Sequence, residues 1–365
     1  MSEATETKPT ASPAKPERRA EHKLPTAVLG MDVSPDGATL YAACMHGVYR
    51  VDAQSGEHER LATHDSYVSG VALDVDRETL ISAGYDGALA WIRAANGEVI
   101  RRVQAHQFWS WRMALARDAS IVATVTGQYL AGDYEYKPAP ENEPSVKVFD
   151  AETGELRHAF SHVPSVQAVA ISPDAGYVAA GNLMGEVRVW DLEGGSEAAR
   201  FSTDAFTSWG IIKSHCYIGG IYAMHFTPDG EHLLLTGMGP MRDPMAGNGR
   251  QLWQKFAWRE NPPRMVDETH RGESGEGLME SLAVHPAGDQ FVMAGRLRGG
   301  DYSAGLFDLD SGKLVGSEKT DYRVTRAVYS PDGKRLMLAG AANQPNREKG
   351  RYAAFGRIGV YELVG

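Results

Sequence analysis

The stretch Val169-Ala-Ile-Ser-Pro-Asp-Ala-Gly-Tyr-Val-Ala-Ala-Gly181, continuing through Asn182-Leu-Met-Gly-Glu-Val-Arg-Val-Trp190 to Asp191, decides how the chain is read. Val169 and Ile171 alternate with smaller residues, the two-residue period of a strand. Ser172-Pro173-Asp174-Ala175 is turn chemistry, because proline presets φ and the Ser and Asp side chains bond their own backbone. A second apolar run, Tyr177 to Ala180, returns from that turn. Gly185 reverses the chain again, and Val187 to Trp190 reads as a third strand. One such unit cannot bury both of its faces, so copies are expected.

Working outward, the turn recurs at Ser34-Pro35-Asp36 and Ser330-Pro331-Asp332, with variants at Asp74-Val75-Asp76, Ala116-Arg117-Asp118, Thr227-Pro228-Asp229 and His285-Pro286-Ala287, seven in all. Their separation runs from roughly 40 to nearly 60 residues, the period of four-stranded propeller blades. A second series marks the turn after the third strand: Ser55-Gly56-Glu57, Asn96-Gly97-Glu98, Thr153-Gly154-Glu155, Gly194-Gly195-Ser196 and Ser311-Gly312-Lys313. The predicted fold is all-β, a single seven-bladed propeller over residues 18–365, preceded by a disordered tail over 1–17 that has almost nothing to bury.

How the ring closes is also written in the repeat. Glu17 to Leu24 matches the outer strands that precede other inner strands, such as Glu59 to His64 and Arg101 to His106, yet it has no blade of its own. Ile358 to Glu362 is a third strand without a fourth. Pairing of these two segments is expected to remove the open sheet edge.

On these residues the chain resembles the WD40-repeat β-propeller family, over about residues 18–365. That family's pattern is a His before the inner strand, a Ser or Thr on the second strand, an Asp at the next turn and Trp-Asp ending the third. The His position is filled by His22, His64, His106, His162 and His270, with Asp204 and Asp321 in the other two blades. Blade 2 keeps His64, Ser82 and Asp86 but has Ile92 at the Trp position. Trp190-Asp191 is the literal Trp-Asp, and Phe149, Trp258, Phe307 and Tyr361 substitute elsewhere. The resemblance implies that the His residues hydrogen-bond within their blades.

Composition narrows the function. The 365 residues carry 37 Lys and Arg against 47 Asp and Glu, a formal charge of −10, which argues against nucleic acid or an acidic membrane as a general partner. The 40 glycines suit many tight turns. There is no apolar run of membrane-spanning length and no apolar leader at the N-terminus, and the two cysteines, Cys44 and Cys216, give no disulfide framework. A cytoplasmic protein is expected.

The extra residues fall at Gly127 to Pro144, Gly237 to Gly249, Arg296 to Tyr302 and Ala341 to Ala354 between second and third strands, and at Phe206 to Gly219 and Arg271 to Gly277 between blades. In an antiparallel blade these connections all lie at one end, so one face of the disc is elaborated, and loops on a rigid scaffold are where binding resides. Neutral drift of insertions is the alternative. The loops carry Tyr129, Tyr134, Met238, Arg242, Arg298 and Tyr302, among the residue types enriched in interface cores. Register with the turn motif places Ser69, Trp111, Gln167, Tyr222, Glu280 and Thr325 at the channel mouth on this face, with Tyr67, Trp109, Ser165, Leu278 and Arg323 two residues earlier. Trp109 and Trp111 beside Phe108 form either a recognition platform or a plug.

Chemistry was sought and not found. Asp308-Leu309-Asp310-Ser311-Gly312 lacks the distal Glu of a calcium loop. Gly272-Glu273-Ser274-Gly275 misses a nucleophile elbow. His215-Cys216 lacks zinc spacing. No cofactor and no metal site are therefore expected. The function expected is a non-enzymatic scaffold that binds a protein or peptide through Tyr67, Trp109, Trp111, Tyr134, Gln167, Tyr222, Arg242, Glu280, Arg298 and Arg323. The alternative is an enzyme or small-ligand binder at the channel mouth, using Glu280, Arg323, Arg112 and His215.

Overall fold

The Ser-Pro-Asp turns close on themselves in one repeated way. Asp174 accepts from Ser172 Oγ and from the Gly176 N–H at 3.0 Å, and Ser172 Oγ accepts the Tyr177 N–H at 2.9 Å. Ser34/Asp36, Thr227/Asp229 and Ser330/Asp332 repeat those bonds. His285 replaces the hydroxyl with a ring nitrogen, which accepts the Ala287 N–H at 3.1 Å. The residue after the Asp position takes a left-handed conformation: Gly37, Gly230, Gly288 and Gly333 adopt it freely, while Ala175 holds φ 54° and Ala119 φ 52° against the penalty of a Cβ.

The computed structural model describes residues 12–127, 129–130, 137–138, 141–163, 165–206, 220–243, 248–343 and 353–365. Within them the chain is all-β, built of antiparallel sheets that are mostly four-stranded, an arrangement consistent with a β-propeller. The four sheets that come first in the chain each follow chain order: Val28–Val33 to His58–Ala62, Val68–Asp74 to Val99–Gln104, Arg112–Leu115 to Leu156–Phe160, and Val166–Ile171 to Glu197–Ser202. The next two units, Ile221–Phe226 to Arg264–Glu268 and Glu276–Val284 to Leu314–Glu318, join through one bridge, Arg250 to Glu276. In the remaining sheet Arg323–Tyr329 and Arg335–Ala341 are followed by Gly356–Val364, whose other edge pairs antiparallel with Lys15–Leu24. The two ends of the chain thus share one sheet.

Alternation along the strands puts the apolar side chains between sheets rather than within one layer. Each core cluster is shared by two sheets. Trp91, Ile81 and Leu89 of one sheet pack with Met113, Val122 and Phe149 of the next. The cluster at the join of the termini combines Leu24, Ile358, Val360 and Met337 with Val28, Met31, Leu40 and Val51. Trp190 stacks on Phe160 of the preceding sheet with ring centroids 5.0 Å apart. Among the described residues no helix is long and apolar enough to cross a membrane.

Several details differ from the sequence reading. The first strand begins at Lys15, not at residue 18, and Ser12 already donates its N–H to Asp289 at 2.8 Å. Two expected insertions are largely strand: His232–Asp243 pairs with Asn248–Ala257, and Gln290–Gly299 extends its ladder to Glu276. Met238 and Tyr302, expected on the surface, are buried, and the Tyr302 hydroxyl donates to the Glu273 carbonyl at 2.7 Å. An extended hairpin alternates its side chains, so half of them turn inward.

The His pattern is realised unevenly. His64 bonds Ser82 Oγ at 2.8 Å and Asp86 at 3.1 Å, the full relay of its sheet. His22 instead bonds the Ala53 carbonyl at 2.9 Å, and among the described residues neither ring nitrogen of buried His106 has a hydrogen-bond partner, the Glu143 carboxylate lying 3.9 Å from its Nδ1. Burial pushes the Asp86 carboxyl up, but the His64 hydrogen bond and charge and the N–H groups of Ala88 and Asp65 outweigh it and hold the carboxyl at about 2. A depressed carboxyl stabilises the fold above its unfolded pKa and loses that contribution as pH falls toward the folded value. Asp86→Ala is therefore expected to cost about 1–3 kcal/mol at pH 7. In urea titrations the gap from the unsubstituted chain should narrow as pH drops from about 4 to about 2.

Candidate functional site at the channel mouth

The inner strands begin at the end of the sheets from which the long hairpins emerge, and the side chains on their first residues meet there. Glu280 on Glu276–Val284 is buried, and its carboxylate accepts both Nε and a terminal nitrogen of Arg323, from the first residue of Arg323–Tyr329, in a bidentate pair. Arg112, the first residue of its strand, donates to the Glu280 carbonyl oxygen at 2.6 Å although 168 residues separate them. Burial pulls the Arg112 guanidinium below its ordinary value, with the Glu280 charge opposing that shift. For Arg323 the Glu280 hydrogen bonds outweigh burial and hold it above. Glu280 and Arg323 thus neutralise each other at the mouth, and Arg112 from a third sheet is held by the Glu280 backbone.

Beside this polar knot lies an aromatic cluster. Tyr85 stacks on Trp109 at 5.0 Å, Trp109 on Phe108 at 5.1 Å, and Trp111 meets both Tyr85 and Trp109 edge-on at 5.4 and 5.2 Å. Tyr67 joins from the neighbouring strand entry at 5.9 Å from Tyr85. Tyr67 and Trp109 remain 43% and 42% exposed, so the stack presents open aromatic faces. Trp111 differs: it is half-buried and donates its Nε1–H to the Gly127 carbonyl at 2.9 Å. Burial pushes the Tyr85 phenol up, with Arg112, Glu280 and Arg323 all within its electrostatic reach. Tyr85 therefore connects the aromatic cluster to the charged knot.

The structure brings Tyr67, Trp109, Trp111, Glu280 and Arg323 into this one region. Tyr222 lies within electrostatic reach of Arg323. Gln167 sits on the same rim but turns its amide to Ser165 Oγ at 2.7 Å. Arg298 is exposed on the extended strand Gln290–Gly299, near Arg296. Arg242 falls on strand His232–Asp243, while Tyr134 and His215 lie outside the described residues. Tyr85 was missed in the sequence because it occupies an ordinary turn position beside Asp86. Its signal was the aromatic residue facing Tyr67, to whose carbonyl its own N–H donates at 2.8 Å.

Comparisons with known proteins come in on this geometry. No family model matches the chain. The chain is similar to proteins named serine-threonine kinase receptor-associated protein: 24% identical over 293 residues to that of Bos taurus and 23% over 293 residues to that of Homo sapiens, in each case covering 72% of both chains. The Mus musculus protein is 23% identical over 291 residues.

Because the Glu280 carboxylate neutralises Arg323, Glu280→Gln is expected to lower stability by about 1–3 kcal/mol, the worth of charge-assisted hydrogen bonds. Guanidinium chloride should be avoided as denaturant because it screens the pair, and urea unfolding followed by Trp fluorescence reads the loss.

Proposed function

We propose that the chain is a seven-bladed, WD40-like propeller whose first strand closes the ring, and that it serves as a non-enzymatic scaffold for a protein or peptide partner. The partner docks on the face that carries the long hairpins. The observation that carries this reading is the open aromatic stack of Tyr67 and Trp109 beside Arg323 and the exposed Arg298. Aromatic and Arg side chains supply most of the binding energy in known interfaces, and they do so in patches of this kind. Seven inner strands, a last sheet made from both chain ends and core clusters shared between neighbours support the ring. The similar proteins are named for association with a kinase receptor, which supports a partner-binding role.

An enzyme at the mouth draws less support. Glu280 is held by Arg323, and Arg112 is committed to a backbone carbonyl, so the converging polar groups serve each other. A general acid or base needs a group free to meet substrate. Trp111 is excluded from the partner test because its indole N–H is tied into the fold. The variant Tyr67→Ala/Trp109→Ala/Arg298→Glu is expected to melt within about 2 °C of the original, as surface changes do. In quantitative affinity purification it should lose at least about tenfold of each protein that co-purifies with the original chain. Equal recovery by the variant would count against this face.

A further inference from the structure

Below the knot of Arg112, Glu280 and Arg323, the space between the inner strands opens into a cavity of about 430 Å³. Residues of all seven inner strands line it, from Met31 and Asp32 on Val28–Val33 to Arg326 on Arg323–Tyr329. Exposed Arg117 and Pro286 are at its other end, so it reaches the face opposite the long hairpins. This volume falls in the range of small-molecule sites.

Most of the lining residues are apolar in type, yet the surface they expose is mainly polar, and one cation among them has no hydrogen-bond partner among the described residues. Asp32 spends both carboxylate oxygens on backbone N–H groups, those of Val33 and Leu73, each at 2.8 Å. His225 faces the cavity with its Nδ1 against the Phe226 carbonyl, and burial holds its ring below its ordinary pKa. Arg326 makes no hydrogen bond or ion pair with any described residue, and its Nε is a buried donor without a partner. Burial and then the charge of Arg112 pull its guanidinium down to about 10, so it is still a cation at neutral pH, with Asp32 the acid that opposes the shift. Along the shaft the cations Arg112, Arg323 and Arg326, with Arg117 at the far end, outnumber the acids Glu280 and Asp32.

A buried donor without a partner is costly, and among the described residues no carboxylate bonds the Arg326 guanidinium, on which Asp32 acts only through its charge. The planar fork of Arg suits a carboxylate bidentately. The charge of Asp32 nearby disfavours a dianion. The partly buried side chains of Leu73, Leu115, Ile171 and Val328, on four of the inner strands, offer apolar contact to a short hydrocarbon body. We propose that this cavity binds a small organic monocarboxylate, its carboxylate on Arg326 and its apolar part against these partly buried side chains.

Hexanoate, hexanol and inorganic phosphate, titrated into the full chain by calorimetry, test this. Hexanoate is expected to bind, and hexanol and phosphate at least about tenfold more weakly, since each lacks half of the match. Arg326→Met should weaken hexanoate at least about tenfold while leaving the unliganded melting temperature equal or higher, because it removes a buried cation that no described residue bonds. Arg326→Lys, which keeps the charge without the fork, should fall between. The Tyr67→Ala/Trp109→Ala/Arg298→Glu variant should bind hexanoate as the original does, which separates this site from the partner face. No heat with hexanoate, equal binding of phosphate, or a destabilised Arg326→Met variant would each overturn the proposal.

Discussion

The pairing of Lys15–Leu24 with Gly356–Val364 is the constraint on which the rest of the structure depends. Without it Gly356–Val364 would present a nine-residue edge of unpaired N–H and C=O groups, and Lys15–Leu24 would have no sheet at all. The same contact brings Leu24 into the core cluster of Val28 and Met31, so hydrogen bonding and burial act together at one seam. Arg19 reinforces it with an ion pair to Glu362, although exposed pairs of that kind contribute little. Because every other core cluster is shared by sheets adjacent in sequence, the seam is where the longest-range contacts are concentrated.

The polar residues of the shaft follow from this arrangement. Seven inner strands that converge leave a space too narrow for another layer and too polar at its ends to stay dry. At the hairpin end Glu280 and Arg323 pair their charges, and Arg112 reaches the Glu280 backbone carbonyl from a third sheet. Farther in, Asp32 is satisfied by backbone donors while Arg326 is not. The two ends of the shaft thus have different chemistry: one is a closed knot beside an open aromatic stack, the other an open cavity with one cation that no described residue bonds. The proposed partner and ligand sites are assigned to these two ends.

Much of this was legible in the sequence because the repeat fixes register. Once Ser172-Pro173-Asp174 was recognised as a turn, its copies placed Glu280, Trp111 and Tyr222 at inner-strand starts, and the structure finds Glu280 and Trp111 in contact with the mouth. What register cannot give is side-chain reach. That Arg323 and Arg112 both turn to Glu280 depends on long flexible stems crossing between sheets. The extended hairpins hid Met238 and Tyr302, because a length in excess of the repeat reads as loop whether or not it continues the ladder. Arg326 was passed over although Arg323-Val-Thr-Arg-Ala-Val-Tyr329 carries its signal: a second cation three positions into an inner strand, where the neighbouring inner strands have Met113, Met224 or Leu282 nearby.

The seam can be measured directly. In the observed register Lys23 opposes Arg357, and opposed residues of antiparallel strands lie within disulfide reach. With Cys44 buried and Cys216 replaced by Ser, the pair Lys23→Cys/Arg357→Cys should oxidise in air to an intramolecular disulfide, seen as a faster band on non-reducing electrophoresis. The offset pair Lys23→Cys/Glu362→Cys should stay reduced. Failure of the first pair to link, or equal linking by the offset pair, would contradict the account.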